Sequence, residues 1–130
     1  MLPFTVSLRP GVPVYEQVIY AVRRAVVTGQ LRTGDSFPSV RDLSRELTIN
    51  PNTAHKIVAL LVEEGLLVVR PGVGTVVSDT QRATASTRRT ILGNDAERLV
   101  VEASRAGVSL ADLVAAIRRH WARTVNAKAG

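Results

Sequence analysis

Residues 37–53 read FPSVRDLSRELTINPNT and contain two helix starts separated by a tight turn. The first helical pattern begins at Ser39, and its apolar positions follow the spacing of one helix face: Val40, Leu43 and Leu47. After the turn, Asn50 is a helix-capping residue and Pro51 takes the first helical position, where a missing N–H costs nothing. A short helix joined to a second helix by three or four residues is typical of the helix-turn-helix unit.

Helical patterns extend this unit in both directions. Upstream, a helix is predicted from Pro13 to Gly29, because valines recur at every fourth position between them. Downstream, the second helix of the unit is predicted over residues 51–64, where apolar residues again follow one helix face and Gly65 ends the pattern.

The hydrophobic period then changes from that of a helix to that of a strand. Leu66–Arg70 and residues 75–78 are predicted strands, and the loop between them contains two glycines that permit positive φ. A hairpin directly after a helix-turn-helix unit is the wing of a winged helix. We therefore predict a winged helix-turn-helix domain over residues 10–79, with the wing at 66–78.

Residues 80–130 carry a second pair of helical patterns, with Gly107 between them and Ser109 as the cap of the last helix. Residues 80–90 are predicted to be either a linker or the exposed start of a helix. The apolar positions of this segment are Leu92, Leu99, Val100, Leu110, Leu113, Val114, Ile117 and Trp121. They exceed what two helices can bury against each other, so a homodimer interface is predicted here. The predicted fold class is mainly α with a small β-hairpin: a winged helix-turn-helix domain plus a C-terminal two-helix dimerisation segment.

The composition is that of a globular protein, with 130 residues, 45% hydrophobic, 22% charged and a net charge of +6. Most of the excess charge lies beyond residue 79, so net charge alone does not locate a nucleic-acid site. No apolar run approaches the roughly 20 residues of a membrane span, and the N-terminus has no signal-peptide pattern. We therefore expect a cytoplasmic protein without membrane contact.

The inventory of reactive side chains argues against an enzyme. The chain has no cysteine and 2 histidines, which lie on separate predicted elements without carboxylates at ligand spacing. A lone G-x-G in the wing lacks the lysine of a phosphate loop. No metal site and no cofactor are predicted.

The start of the second helix of the unit carries polar side chains on the face away from the core. In a helix-turn-helix protein this helix lies in the major groove and presents its N-terminal residues to base edges. The outward-facing candidates for DNA contact are Asn50, Asn52, Thr53, His55 and Lys56.

Several motifs at fixed spacing resemble the DNA-binding domain of the GntR family of bacterial transcription regulators. The match covers about residues 13–78 and comprises PVYEQVIY (13–20), GQLRTGD (29–35), FPSVRDLS (37–44), INPNT (49–53), LLVEEGLL (60–67) and RPGVGT (70–75). The NPNT turn and the short C-terminal segment resemble the YtrA-type subfamily, in which two short helices replace a large effector-binding domain and mediate dimerisation.

The resemblance also implies roles for single residues. Arg41 corresponds to the family arginine that contacts DNA, and Ser39 is a phosphate-contact candidate at the start of its helix. Asn50, Asn52 and Thr53 correspond to contact positions of the recognition helix. Gly72 corresponds to the wing-tip glycine that lets the backbone approach the minor groove. His55 stands where many members have a longer basic or polar side chain.

The function expected from these observations is a homodimeric, sequence-specific transcription regulator that binds double-stranded DNA. We expect a repressor that recognises a palindromic operator through helix 51–64 and wing 66–78. The alternative is a winged-helix adaptor that binds proteins, which would present apolar or acidic side chains on the recognition-helix face. The sequence identifies no effector, no operator sequence and no regulated gene.

Overall fold

The computed structural model describes residues 1–79 and 85–125, and each of these two stretches lies in a compact unit of its own. The first unit contains helices α1 (Val14–Thr28), α2 (Val40–Leu47) and α3 (Pro51–Glu63). A hairpin of β1 (Leu67–Arg70) and β2 (Gly74–Val77) follows. The predicted fold class, mainly α with a winged helix-turn-helix domain, is confirmed.

Local capping sets the ends of α1 and α2. Pro13 lies just outside α1 rather than in its first turn, and Gly29 ends the helix in the left-handed conformation at φ 84°. At α2, the Ser39 hydroxyl accepts a hydrogen bond from the Asp42 amide at 3.1 Å. Thr48 ends α2 at φ 54°, a conformation that is uncommon for a β-branched residue.

The recognition helix α3 begins as the sequence predicts. The Asn50 side chain accepts a hydrogen bond from the Asn52 amide at 2.8 Å, and Pro51 occupies the first turn. The helix is one residue shorter than predicted, because Glu64 serves as its C-cap. Ala54, Ile57 and Leu61 are fully buried, so one face of α3 is fixed against the core.

The wing is an antiparallel hairpin whose register pairs Leu67 with Val77 and Arg70 with Gly74. The loop before α2 joins it through a bridge between Ser36 and Val76, which ties the wing to the helix-turn-helix unit. Buried Leu67 and Val77 anchor the base of the hairpin in the core, while its tip is exposed.

The N-terminal segment before α1 is part of the first unit. Phe4 is buried and stacks on Phe37, with ring centroids 5.7 Å apart and the rings 2° from parallel. The side-chain amide of Gln17 holds the segment against α1 by donating to the carbonyls of Arg9 and Val12, each at 2.9 Å. The compact unit therefore begins before residue 10, where the sequence placed the start of the domain.

The second unit consists of α4 (Ala85–Thr90), a π-helical turn (Ile91–Asp95), α5 (Ala96–Arg105) and α6 (Leu110–Thr124). Ser109 caps α6 by accepting from the Asp112 amide at 3.1 Å, as predicted. Of the two alternatives for residues 80–90, the structure shows a helix from Ala85 onward, and residues 80–84 lie outside the described chain. No side chain between residues 85 and 125 is buried.

Candidate nucleic-acid interface

The outward face of α3 carries the polar residues that the sequence singled out. Asn50, Asn52, His55 and Lys56 are exposed and Thr53 is half-buried, while Ala54 and Ile57 point into the core. The burial of one face fixes the rotation of the helix, so the polar face is presented as a set.

The two asparagines at the start of α3 have different bonding states. The side-chain oxygen of Asn50 is occupied by its capping hydrogen bond to the Asn52 amide. The Asn52 side chain makes no hydrogen bond with any residue of the described chain, so its oxygen and its two N–H donors are all free. An amide with both functions free can pair bidentately with adenine in the major groove.

Arg41 lies exposed on α2 and has no ion pair within residues 1–79 or 85–125. The two acids of α2 are both engaged with other groups. Asp42 pairs with Arg45 at 2.8 Å, and Glu46 accepts from the N-terminal ammonium group of Met1 at 2.7 Å. The guanidinium group of Arg41 therefore keeps its full bonding capacity for a phosphate or a base edge.

Ser39 combines a structural role with a free donor. Its oxygen accepts from the Asp42 amide, which satisfies one of the unpaired N–H groups at the start of α2. The hydroxyl proton remains free to donate in the opposite direction. The side chain can therefore cap the helix and contact an anion at the same time.

The ammonium group of Lys56 rests on an aromatic ring of another helix. Its ammonium nitrogen lies 4.1 Å from the centroid of the Tyr15 ring, at the start of α1. Tyr15 is half-buried and packs against the core, so the ring is a fixed platform. No local motif links these two residues, which come together only because α1 packs against α3.

The wing tip owes its shape to Gly72. Its φ is +76°, and nothing lies within 4 Å of the position that a Cβ would occupy. Glycine is therefore required by the backbone conformation, and the open space leaves room for another molecule to approach. Arg70 and Val73 are exposed on either side of it.

The apolar positions of the second unit remain uncovered by its own helices. Leu92 and Leu110 are about three-quarters exposed and Trp121 is 60% exposed. Leu99, Val100, Val114 and Ile117 are also exposed, and Leu113 is half-buried. Each large apolar side chain left in water forgoes about 1.5–3 kcal/mol of burial free energy.

Two features are absent from residues 1–79 and 85–125. Within them, no three His, Asp or Glu side chains are grouped as metal ligands. None of the helices in this part of the chain has the length and apolar character needed to cross a bilayer.

Comparison with known proteins identifies a family of bacterial regulators. Residues 14–77 match the family described as bacterial regulatory proteins, gntR family. The chain is 31% identical over 120 residues to the HTH-type transcriptional repressor YtrA of Bacillus subtilis (strain 168), covering 92% of this chain and 88% of that protein.

Solved structures agree with the family match. A GntR family transcriptional regulator from Listeria monocytogenes is 25% identical with a TM-score of 0.64, covering 86% of this chain and 98% of that one. A transcriptional antiterminator from Listeria monocytogenes EGD-e has a TM-score of 0.78 at 20% identity, covering 98% of this chain and 93% of that one, and shares the fold.

Proposed function

Since the chain belongs to the GntR family of bacterial regulatory proteins, we propose that it is a homodimeric, sequence-specific repressor of transcription. It is a transcription regulator and not an enzyme, and its partner is double-stranded DNA. It would act in the cytoplasm on a palindromic operator. In this proposal α3 reads base edges in the major groove, and the wing around Gly72 approaches the neighbouring minor groove.

The observation that carries this proposal is a polar surface on α2 and α3 that includes side chains without hydrogen-bond or ion-pair partners among the described residues. The side chains of Arg41 and Asn52 make no hydrogen bond or ion pair with the described residues, although each has several donors. An adaptor that binds proteins would need apolar or acidic side chains on this face. Apart from Pro51, the exposed side chains in the first two turns of α3 are neutral polar or basic, which favours DNA.

The uncovered apolar side chains between Leu92 and Trp121 support the proposed dimer. A second copy could cover Leu92, Leu99 and Trp121 through a self-complementary two-fold interface. Two recognition helices would then reach successive major grooves, roughly 34–36 Å apart. The resemblance of the whole chain to a protein named as a repressor supports the direction of regulation.

Selection of bound DNA from a random pool tests the proposal directly. We expect enrichment of one palindrome whose half-sites are about one helical turn apart. Retention of all sequences alike, or enrichment of a site without two-fold symmetry, would contradict the proposed mode of recognition.

Replacement of Arg41 by alanine should weaken operator binding. We expect a loss of about 1–3 kcal/mol for a bidentate base contact, or a salt slope lowered by about one for a phosphate contact. The fold should be unaffected, because Arg41 lies outside the buried face of α2. Binding isotherms at several salt concentrations measure both quantities. Arg24→Ala, which removes an exposed arginine on α1, is the matched control, and an Arg41→Ala protein equal to it would refute the role.

Replacement of Asn52 by alanine should change which bases are selected. Because its amide is free, a direct adenine contact would be lost, and selection should relax at one position of each half-site. Asn50→Ala is the informative comparison, since loss of the cap should lower the free energy of unfolding by about 0.5–2 kcal/mol. If Asn52→Ala selected the same consensus as the unaltered protein, Asn52 would not read a base.

A further inference from the structure

The contact between Lys56 and Tyr15 extends the proposed DNA interface beyond the helix-turn-helix unit. We infer that Tyr15 is a positioning residue, whose ring holds the Lys56 ammonium group where a backbone phosphate flanks the bases read by α3. This inference rests on the proposed function. It assigns to α1 a part in DNA binding that neither the motifs nor the comparisons give it.

The position of Lys56 on the recognition helix fits a phosphate contact. Lys56 follows Asn52 by four residues, so the two side chains lie on the same exposed face, one helical turn apart. Lys56 therefore lies beside the residue proposed to read a base, and its long side chain can reach the phosphates that flank that base.

The bonding state of the Lys56 ammonium group also fits a phosphate contact. Lys56 has no carboxylate partner within the described residues, and the contact with the ring uses none of its three N–H donors as a conventional hydrogen bond. One side of the ammonium group can therefore rest on the aromatic face while another side donates to phosphate oxygens. The ring contact and the phosphate contact are compatible.

The ring lowers the entropic cost of that contact. A free lysine side chain samples many rotamers, and these are lost when it binds a phosphate. The Tyr15 ring is itself held by its packing against the core, so it restricts Lys56 before DNA arrives. Preorganisation of this kind raises affinity without adding a new contact to the DNA.

The test is a set of variants of the full chain, measured against the selected operator and against an unrelated duplex. Lys56→Ala should weaken binding to both duplexes by a similar factor and lower the salt slope by about one. Tyr15→Leu should weaken both by roughly 2- to 5-fold, a factor within the ordering cost of one flexible side chain that is immobilised only on binding. Tyr15→Phe keeps the aromatic face and should restore the affinity of the unaltered protein.

Two further measurements separate positioning from a general structural effect. In the Lys56→Ala background, Tyr15→Leu should cause no additional loss, because the tyrosine acts through the lysine. In the free protein, the Lys56 side-chain methylene protons should show an upfield ring-current shift that persists in Tyr15→Phe and disappears in Tyr15→Leu. Tyr20→Leu, which alters an exposed tyrosine of the same helix, should change neither readout.

The possible results distinguish failure of this inference from failure of the proposed function. Tyr15→Leu binding as tightly as the unaltered protein or more tightly, Tyr15→Phe failing to restore binding, or an undiminished loss in the Lys56→Ala background would each overturn the inference. Failure of the unaltered protein to bind any duplex would instead overturn the proposed function. Thermal unfolding of each variant, with transitions near that of the unaltered protein, ensures that only folded proteins are compared.

Discussion

A shortened chain that ends at Asp79 is expected to remain folded and monomeric, and to bind a full palindromic operator about 10²–10⁴-fold more weakly than the whole chain. Every buried apolar side chain that the structure describes lies between Phe4 and Val77, so the first unit keeps its core. The loss comes from separating the two half-site contacts, since dimerisation makes the second one effectively intramolecular.

The control for this prediction is a DNA duplex that contains a single operator half-site. Its affinity should hardly differ between the shortened and whole chains, because all proposed DNA contacts lie before residue 79. Sedimentation of the whole chain at micromolar concentration measures the oligomeric state directly. A monomer at that concentration would contradict both the dimer and the interface role of Trp121.

Replacement of Phe4 by alanine is expected to lower the free energy of unfolding by about 3–5 kcal/mol. Phe4 is only 4% exposed and stacks on Phe37, two residues before the cap of α2. Truncation would remove the buried ring and leave a cavity beside the start of the helix-turn-helix unit. A loss of this size is a large part of the 5–15 kcal/mol that stabilises a typical domain.

Chemical denaturation of the two proteins measures this effect. Leu8→Ala is the matched control, because Leu8 lies in the same N-terminal segment and is 39% exposed. It should change the free energy of unfolding by no more than about 0.5 kcal/mol. Equal denaturation midpoints for Phe4→Ala and the unaltered protein would show that the segment before α1 does not stabilise the domain.

The helix-turn-helix unit and the wing were predictable because their signals are local. A cap such as Ser39 or Asn50 bonds to an amide two or three residues further along. The burial of Ala54 and Ile57 follows from a period that is visible within one helix, and it orients the polar face of α3. The apolar stripe of the second unit was also predictable, because its spacing is visible within each helix.

Other features were decided by contacts between residues distant in the chain, for which a sequence pattern provides no signature. The inclusion of Phe4 in the core depends on Phe37, and the ion pair of Glu46 depends on the N-terminal ammonium group of Met1, 45 positions away. The placement of the Lys56 ammonium group on the Tyr15 ring requires α1 and α3 to pack together first. The sequence by itself thus determined the elements and the outward polar face, while tertiary packing decided which charged side chains on that face are held and which remain free.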